Sequence, residues 1–355
     1  MDWSMVTLGE VVTIDRNSVT PENIASGTRY VGLENMDSDG EIHGIQIVDN
    51  GELRSNKFQF DSQHILYGKL RPYLRKICRP DFSGICSTDI LPIRCGPEMD
   101  RNFVYHYLRK QEMVDMATSR CSGANLPRIS PKILLTFQIP KPPLEEQKRI
   151  ATILDKASEI SQNTEQAFEK REGLKNSVFI ELFGDPLNTS QWQKVSFLDG
   201  VQDVTRSQSK IPQKEFLESG VLPIIDQGRQ NIGGWTNDPS LACTVPLPNI
   251  IFGDHTGVLK FLDFPYALGA DGVKVLIPKD ENFEPFFLYH LLRFLPMPDV
   301  GYSRHYKFLK QFMLICPPIP LQRRFERIVN SINQIPKSME LARENTQSIT
   351  QEMLA

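Results

Sequence analysis

Nowhere in its 355 residues does the chain hold an apolar run approaching the roughly 20 residues that a membrane-spanning helix needs. The start, MDWSMVTLGE, has an acid at Asp2 and no apolar run after it, so neither a secretory signal nor an anchor is expected there, and a cytoplasmic place is. The six cysteines (Cys78, Cys86, Cys95, Cys121, Cys243 and Cys316) contain no CxxC pair. A zinc ribbon or a dithiol redox motif therefore lacks its ligands, and buried free thiols are the reading that remains. There is no GxxxxGK[ST], no GxGxxG after a strand and no HExxH, so nucleotide hydrolysis, dinucleotide binding and zincin chemistry lack their hallmarks. The segment Gly253-Asp254-His255-Thr256-Gly257 mimics a catalytic Asp-His pair, but no Ser or Cys nucleophile motif accompanies it and sequence neighbours seldom face each other. No residue is assigned as catalytic, metal-ligating or cofactor-binding.

What is present is enough chain for two domains of ordinary size, each burying its own core. The net charge of −3 is small and hides a strong partition. Residues 1 to 62 carry eleven acids against four Lys or Arg, whereas Lys69 to Arg79 carries five positive charges and no acid. A second acid-free basic segment runs from Arg120 through Arg128 to Lys132. A third, 301–325, holds Arg304, Lys307, Lys310, Arg323 and Arg324, with Tyr302 and Tyr306 among them. Basic segments with interleaved aromatics suit a phosphate backbone.

The second half of the sequence repeats the first. DWSMVTLGEVV near Trp3 answers QWQKVSFLDGV near Trp192, ILYGKLRPYLRK answers IIFGDHTGVLKF, and YHYLR at Tyr105 answers YHLLR at Tyr289. PPLEEQKRIATILDKASEI returns 175 residues later as PPIPLQRRFERIVNSINQI. Short alternating strands such as GIQIVD and GVKVLIP, followed by a helix near NFVYHYLRK or FEPFFLYHLLRF, give each half an α+β character. Each half closes on a long helix, the first from after Pro143 to about Phe183, where FGDP stops it, the second from near Pro320 to the end. Seven-residue rows predict a coiled-coil seam. Ile153, Ile160, Ala167 and Leu174 form one row and Ile150, Ala157, Thr164, Arg171 and Val178 the other. The second helix answers with Ile328, Ile335, Ala342 and Ile349, and with Phe325, Ile332, Met339, Thr346 and Met353, and Pro336 predicts a kink. The expected divisions are 1–141 and 184–316 as similar globular domains, with 142–183 and 317–355 as long helices packed antiparallel in an internal pseudo-two-fold repeat.

This order resembles the specificity subunit of type I restriction-modification systems over essentially the whole chain, on the proline-led helix PPLEEQKRIATILD and on YGKLRPYLRK, GICSTD, IIFGDHTG, YALGADGVKVL and GYSRHYKFLKQF. The resemblance implies two target-recognition domains, each reading half of a bipartite sequence in double-stranded DNA. It implies helices acting as spacer and as docking surface for two adenine methyltransferase subunits, joined by restriction/translocase subunits. It implies no catalysis and no cofactor in this chain, with S-adenosylmethionine, ATP and Mg in the partner subunits. Asn237-Asp238-Pro239-Ser240 is not the Asn-Pro-Pro-aromatic pocket of an adenine methyltransferase, so a self-sufficient modifying enzyme is a rival with little support. A coiled-coil protein-interaction scaffold is the other rival, disfavoured by the basic segments.

The candidate DNA contacts follow from charge and turn placement. In the first half, Gly68 presents Lys69, Arg71, Tyr73, Arg75 and Lys76 on one loop, with Tyr67 a further aromatic at the strand end. Ser87, Thr88 and Asp89 follow a strand, and CSGANLPRIS adds Ser122, Asn125 and Arg128. In the second half, Asp254, His255 and Thr256 occupy the corresponding loop, and Arg304, His305, Tyr306 and Lys307 form a second cluster. Gln227, Arg229 and Gln230 are weaker candidates, with amides suited to adenine. His106 and His290 lie in expected helices and are read as packing residues.

Overall fold

The computed structural model describes residues 3–270, 272–298 and 303–333. They fall into two compact units, one running through Thr164 and the other from Glu165.

In the first unit, strand Met5–Thr7 pairs antiparallel with Gln138–Pro140, tying the beginning of the domain to its end. An antiparallel sheet follows in the order Val12–Ile14, Ile90–Cys95, His64–Gly68, Ile77–Cys78. A second sheet orders Ser18–Val19, Lys57–Phe60, Gly84–Cys86, Thr28–Val31 and Gln46–Val48, with Thr28–Val31 parallel to Gly84–Cys86. The core gathers Leu8, Ile65, Tyr67, Ile93, Phe103 and Phe137 beneath helix Arg101–Leu108. Tyr67 is 3% exposed, a core residue with no surface to offer a nucleic acid. Burial pushes the Cys78, Cys86 and Cys95 thiols up to about 12, which keeps them protonated and inert.

The second unit repeats this plan with one strand fewer among its described residues. Lys194–Ser196 pairs with Met313–Ile315, and an antiparallel sheet orders Val201–Asp203, Val273–Pro278, Asn249–Gly253, Leu259–Leu262. Its other sheet orders Lys210–Ile211, Ala267–Gly269, Leu222–Ile225, Gly234–Thr236; Leu222–Ile225 on Ala267–Gly269 repeats the parallel pair of the first unit, and Lys210–Ile211 is parallel to Ala267–Gly269 as well. Among the described residues, the first unit differs by inserting Lys57–Phe60 between two strands of that sheet and by adding helix Gln111–Ser119.

Helix Leu144–Phe183 is 40 residues long. The prolines that precede it do not continue a helix, and Glu145 and Glu146 stand in its first turn, where the macrodipole favours acids. The shared glutamine of the repeat fixes how each such helix begins. Gln147, fully buried, donates to the carbonyls of Pro142 at 2.8 Å and Glu98 at 3.0 Å and accepts from the Asp100 N–H at 2.8 Å. Gln322, also fully buried, donates at 2.8 Å to the carbonyls of Pro317 and Asn282 and accepts from the Glu284 N–H at 2.8 Å. One side chain thus satisfies three buried backbone groups in each unit, which is why the proline-led helix start recurs.

Farther along the helix, Asp155 takes Arg79 at 2.7 Å and His106 at 2.8 Å. Burial alone would raise that carboxyl, but the hydrogen bonds from His106 and Arg79 outweigh it and hold it at about 2. His106 is thereby a hydrogen-bonded helix anchor. In the second unit the end of the same helix buries Phe179 and Phe183 among Phe287, Phe294 and Phe325, with Phe179 stacked on Phe294 at 4.5 Å. The seam predicted from seven-residue rows is redistributed. Ile150, Ala157 and Thr164 are buried, but Ile160 and Leu174 are exposed, and Leu154, Phe179 and Phe183 carry the burial instead. Where the helix lies on a domain core it buries a stripe of period 3.6 (positions 147, 150, 151, 154 and 157) and a strict seven-residue row drifts off that stripe. Helix Ile319–Asn333 does the same with Gln322, Phe325 and Val329. Ile335, Pro336, Met339, Ala342, Thr346, Ile349 and Met353 lie outside the described residues.

Candidate nucleic-acid interface

In the first unit, strand His64–Gly68 ends in a tight hook. Arg71 and Arg75 both take the left-handed backbone conformation, at φ 51° and 54°, on either side of a single 3-10 turn, Pro72–Leu74. Non-glycine residues adopt this conformation rarely and only where the surroundings impose it. Here the surroundings do. The Arg71 N–H donates to the Pro127 carbonyl at 2.8 Å, the Ile129 N–H donates to the Lys69 carbonyl at 3.0 Å, and Leu70 bridges Arg128. Two basic segments that sequence left 50 residues apart are therefore one surface.

The hook sorts its cations into two groups. Arg75 turns inward, its Nε donating to the Arg109 carbonyl at 2.8 Å, and Lys76 Nζ donates to the Leu33 carbonyl at 2.6 Å. These two, expected from sequence as DNA contacts, each set a side chain on a main-chain acceptor and so fasten the loop. Arg71 and Tyr73 remain exposed, Tyr73 at 52%, with Leu74 beside it. Asp89 holds Arg128 through two hydrogen bonds, at 3.0 and 3.2 Å, and stands 3.5 Å from Lys69 Nζ. The hydrogen bond from Arg128 holds the Asp89 carboxyl below its ordinary value despite partial burial. Asp89 is thus the counter-charge that aligns two cations. Ser87 is half-buried and accepts from the Asp89 N–H at 3.3 Å, while Thr88, Ser122 and Asn125 are exposed.

The corresponding loop of the second unit keeps the backbone and moves the acid. The Lys69 N–H donates to the Asp89 carbonyl, and at the matching place the Asp254 N–H donates to the Gly272 carbonyl. The carboxylate thus sits on the loop here, where the first unit has a lysine. Asp254 is 6% exposed and accepts from the Tyr306 N–H at 2.9 Å, while its carbonyl accepts from the His305 N–H at 2.6 Å. Asp254 and His305, expected from sequence as contacts, are buried and form the joint between two loops. Thr256 is exposed and its hydroxyl donates to the Gln227 carbonyl at 2.7 Å, and the His255 N–H donates to the Gln227 side chain at 3.2 Å. Gln227 therefore supports this loop, while Arg229 and Gln230 stay exposed.

Arg304 and Lys307 are exposed and border a cleft of about 700 Å³. Arg206, Lys274, Lys279 and Lys310 complete its rim, and Tyr306 lies between Lys274 and Lys310, whose ammonium groups stand 5.0 and 4.8 Å from its ring centre. The sequence reading had Lys310 in a basic segment but missed Arg206, Lys274 and Lys279. The alternation of GVKVLIP already set Lys274 on the strand face opposite Val273 and Val275, but nothing local joined it to Lys310. Tyr302 lies outside the described residues.

The model of the type I restriction modification DNA specificity domain matches this chain twice, at residues 1–170 and 189–351. The chain belongs to that family. Each copy of the specificity domain takes in one of the two repeated folds and runs on into the helix that follows it, to residue 170 of Leu144–Phe183 and past the end of Ile319–Asn333. The type I restriction enzyme EcoDI specificity subunit of Escherichia coli is 28% identical over 197 residues, 54% of this chain and 44% of that relative. The matched part thus spans less than half of the relative's length. Among solved structures, the type I restriction-modification S subunit from M. genitalium has a TM-score of 0.63 at 17% identity, covering 99% of this chain and 94% of that one, a likeness of fold. The HsdS subunit from Thermoanaerobacter tengcongensis covers 99% of this chain and 96% of its own at 21% identity, with a TM-score of 0.44. As a specificity-domain protein the chain is of mixed α and β structure with a long helix between its two domains, and among its described residues no helix is long and apolar enough to cross a membrane.

Proposed function

We propose that this specificity-domain chain is the DNA-reading subunit of a type I restriction-modification complex, binding a bipartite duplex target and catalysing nothing itself. The observation that carries the reading is the double family match together with a cation-bearing loop surface at the same place in each repeat: Lys69, Arg71, Tyr73 and Arg128 in one unit, Thr256, Arg304 and Lys307 in the other. Arginine suits guanine edges through paired hydrogen bonds and lysine suits phosphate. Segments 1–141 and 184–316 serve as the recognition domains, and 142–183 with 317–355, paired antiparallel, as the spacer. The helices dock two adenine methyltransferase subunits, to which restriction/translocase subunits are added, and S-adenosylmethionine, ATP and Mg belong to those partners. Such a complex works on chromosomal DNA in the cytoplasm.

The test is co-expression with the cognate methyltransferase in a methylation-free host, followed by mapping of methylated adenines across the genome. A two-part motif with a fixed gap is the expected result. Methylation without a bipartite motif, or none that depends on this chain, removes the reading. DNA modification by the purified chain alone, given metal or S-adenosylmethionine, establishes the enzyme rival instead.

A further inference from the structure

Two rim cations of the second unit, Lys274 and Lys310, have no counterpart in the first, whereas Lys307 answers Lys132. The strand registers make the comparison direct: Leu91 pairs Tyr67 in the first unit, and Lys274 pairs Phe252 in the second. Likewise Ile93 pairs Ile14 where Leu276 pairs Asp203. The ion pair Lys274–Asp203, 3.0 Å apart, thus stands where the first unit has Leu91 and Ile14. Lys310, one residue past helix Tyr306–Leu309, matches Leu135, one residue past helix Pro131–Leu134.

Both acids of the cleft are already committed. Asp203 accepts from the Thr205 N–H at 3.0 Å and from the Thr205 hydroxyl, and pairs with Lys274; Asp254 caps Tyr306. The cations outnumber them, with Arg206, Lys279, Arg304, Lys307 and Lys310 on the rim in addition to Lys274. Burial is the first cause holding the Tyr306 phenol above its ordinary value, with Asp203 and Asp254 adding to it, so the ring offers a hydroxyl donor in the cleft. A concave site with surplus positive charge and a phenolic donor fits a singly charged tetrahedral oxyanion whose ester oxygens continue on both sides. A second hollow lined by Lys210, His255, Lys274 and Arg304 prolongs the cleft to the Asp254–Thr256 loop.

We propose that this cleft seats a DNA phosphodiester beside the reading loop, giving the second half of the target an electrostatic anchor that the first half lacks. The proposal rests on the DNA-reading function above. In this unit affinity and base choice are separable: Lys274 and Lys310 hold backbone, while Thr256 and its loop meet base edges.

The test uses the full chain and a duplex carrying the mapped target, with anisotropy titrations over a range of salt. Each lost phosphate contact lowers the slope of log affinity against log salt by about 0.9. The double variant Lys274→Met/Lys310→Met lowers it by about two and leaves the ranking of duplexes altered in the second half-sequence unchanged. Lys310→Met alone, at an exposed position, lowers it by about one without moving the melting temperature, which separates the effect from any folding defect caused by breaking the Lys274–Asp203 pair. An unchanged slope, or a changed ranking of half-sequences, overturns the proposal. So does calorimetric binding of tripolyphosphate that the double variant abolishes while the DNA slope stays the same, which makes the cleft a free-polyphosphate site. Failure of the wild-type chain to bind any duplex is a different result, and it sinks the functional reading itself.

Discussion

At the scale of single residues, charge type proved a weaker guide than the acceptor each cation finds. Arg71 and Arg75 share a loop, a charge and a left-handed backbone, yet one is exposed and the other is fastened to the Arg109 carbonyl. Substituting them separates the two roles. Arg71→Ala leaves thermal stability unchanged and flattens the salt dependence of DNA binding by about one unit of slope if it touches phosphate, or costs about 1–3 kcal/mol at one target position if it reads guanine. Arg75→Met lowers the melting temperature instead, because a partly buried carbonyl loses its donor, and its effect on DNA follows the loss of the loop. Equal effects of both on stability refute this division. His290 gives a second test at this scale. Burial, with Arg293 and Lys175 nearby, depresses its imidazole to about 3. The unfolded chain binds a proton below about 6.5 and the folded chain does not until about 3, so stability is lost as pH falls through that window. His290→Phe, set among Phe286, Tyr289 and Phe325, narrows the difference in melting temperature between pH 7 and pH 4; an unchanged difference refutes it. The fastening of Arg75 was not legible in sequence, since its acceptor lies 34 positions away, whereas His290 was legible as a packing residue of a helix and is buried as one.

At the scale of elements the sequence spoke more clearly. The repeat offsets located the matched strands, and Gly68 and Gly253 each end the central strand of an antiparallel sheet, as IL-Y-G and II-F-G had implied. The proline-led helix was legible as a repeat, but the reason for it was not. Gln147 and Gln322 look like ordinary helix residues until the loops around Glu98 and Asn282 fold over them. Gln147→Leu strands two carbonyls and one N–H in a buried place and should cost about 2–3 kcal/mol, measurable by chemical denaturation. Gln322→Leu should cost a similar amount, because its three bonds are the same three bonds. A surface-like penalty, within ~0.5 kcal/mol, removes the clamp from the account. Helix packing was read less well. Seven-residue rows capture Ile150, Ala157 and Thr164 and miss Phe179 and Phe183, because the latter answer to a domain core whose shape the helix sequence does not contain.

At the scale of the whole molecule, the duplication itself is the argument for a bipartite target, and the proposed spacer role carries a quantitative consequence. Seven residues added to a helix lengthen it by about 10.5 Å at 1.5 Å per residue. Along duplex DNA, at about 3.4 Å per base pair, that is about three base pairs. Insertion of one heptad into each long helix, at matching seam positions, therefore widens the gap between the two methylation half-sequences by about three base pairs and leaves both half-sequences as they were. The twist does not follow the length. Three base pairs turn the duplex by about 100° when a full turn takes about 10 to 10.5, whereas seven residues at 3.6 per turn rotate a helix by only ~20° net. The variant must wind its DNA to keep both faces engaged, so its affinity falls even as its gap grows, and the deficit shrinks on DNA whose intervening sequence twists easily. Genome-wide mapping of methylated adenines in the variant reads the gap directly, and binding to duplexes with stiff or flexible centres reads the twist. A gap that stays fixed while a half-sequence changes leaves the helices with no part in measuring the target.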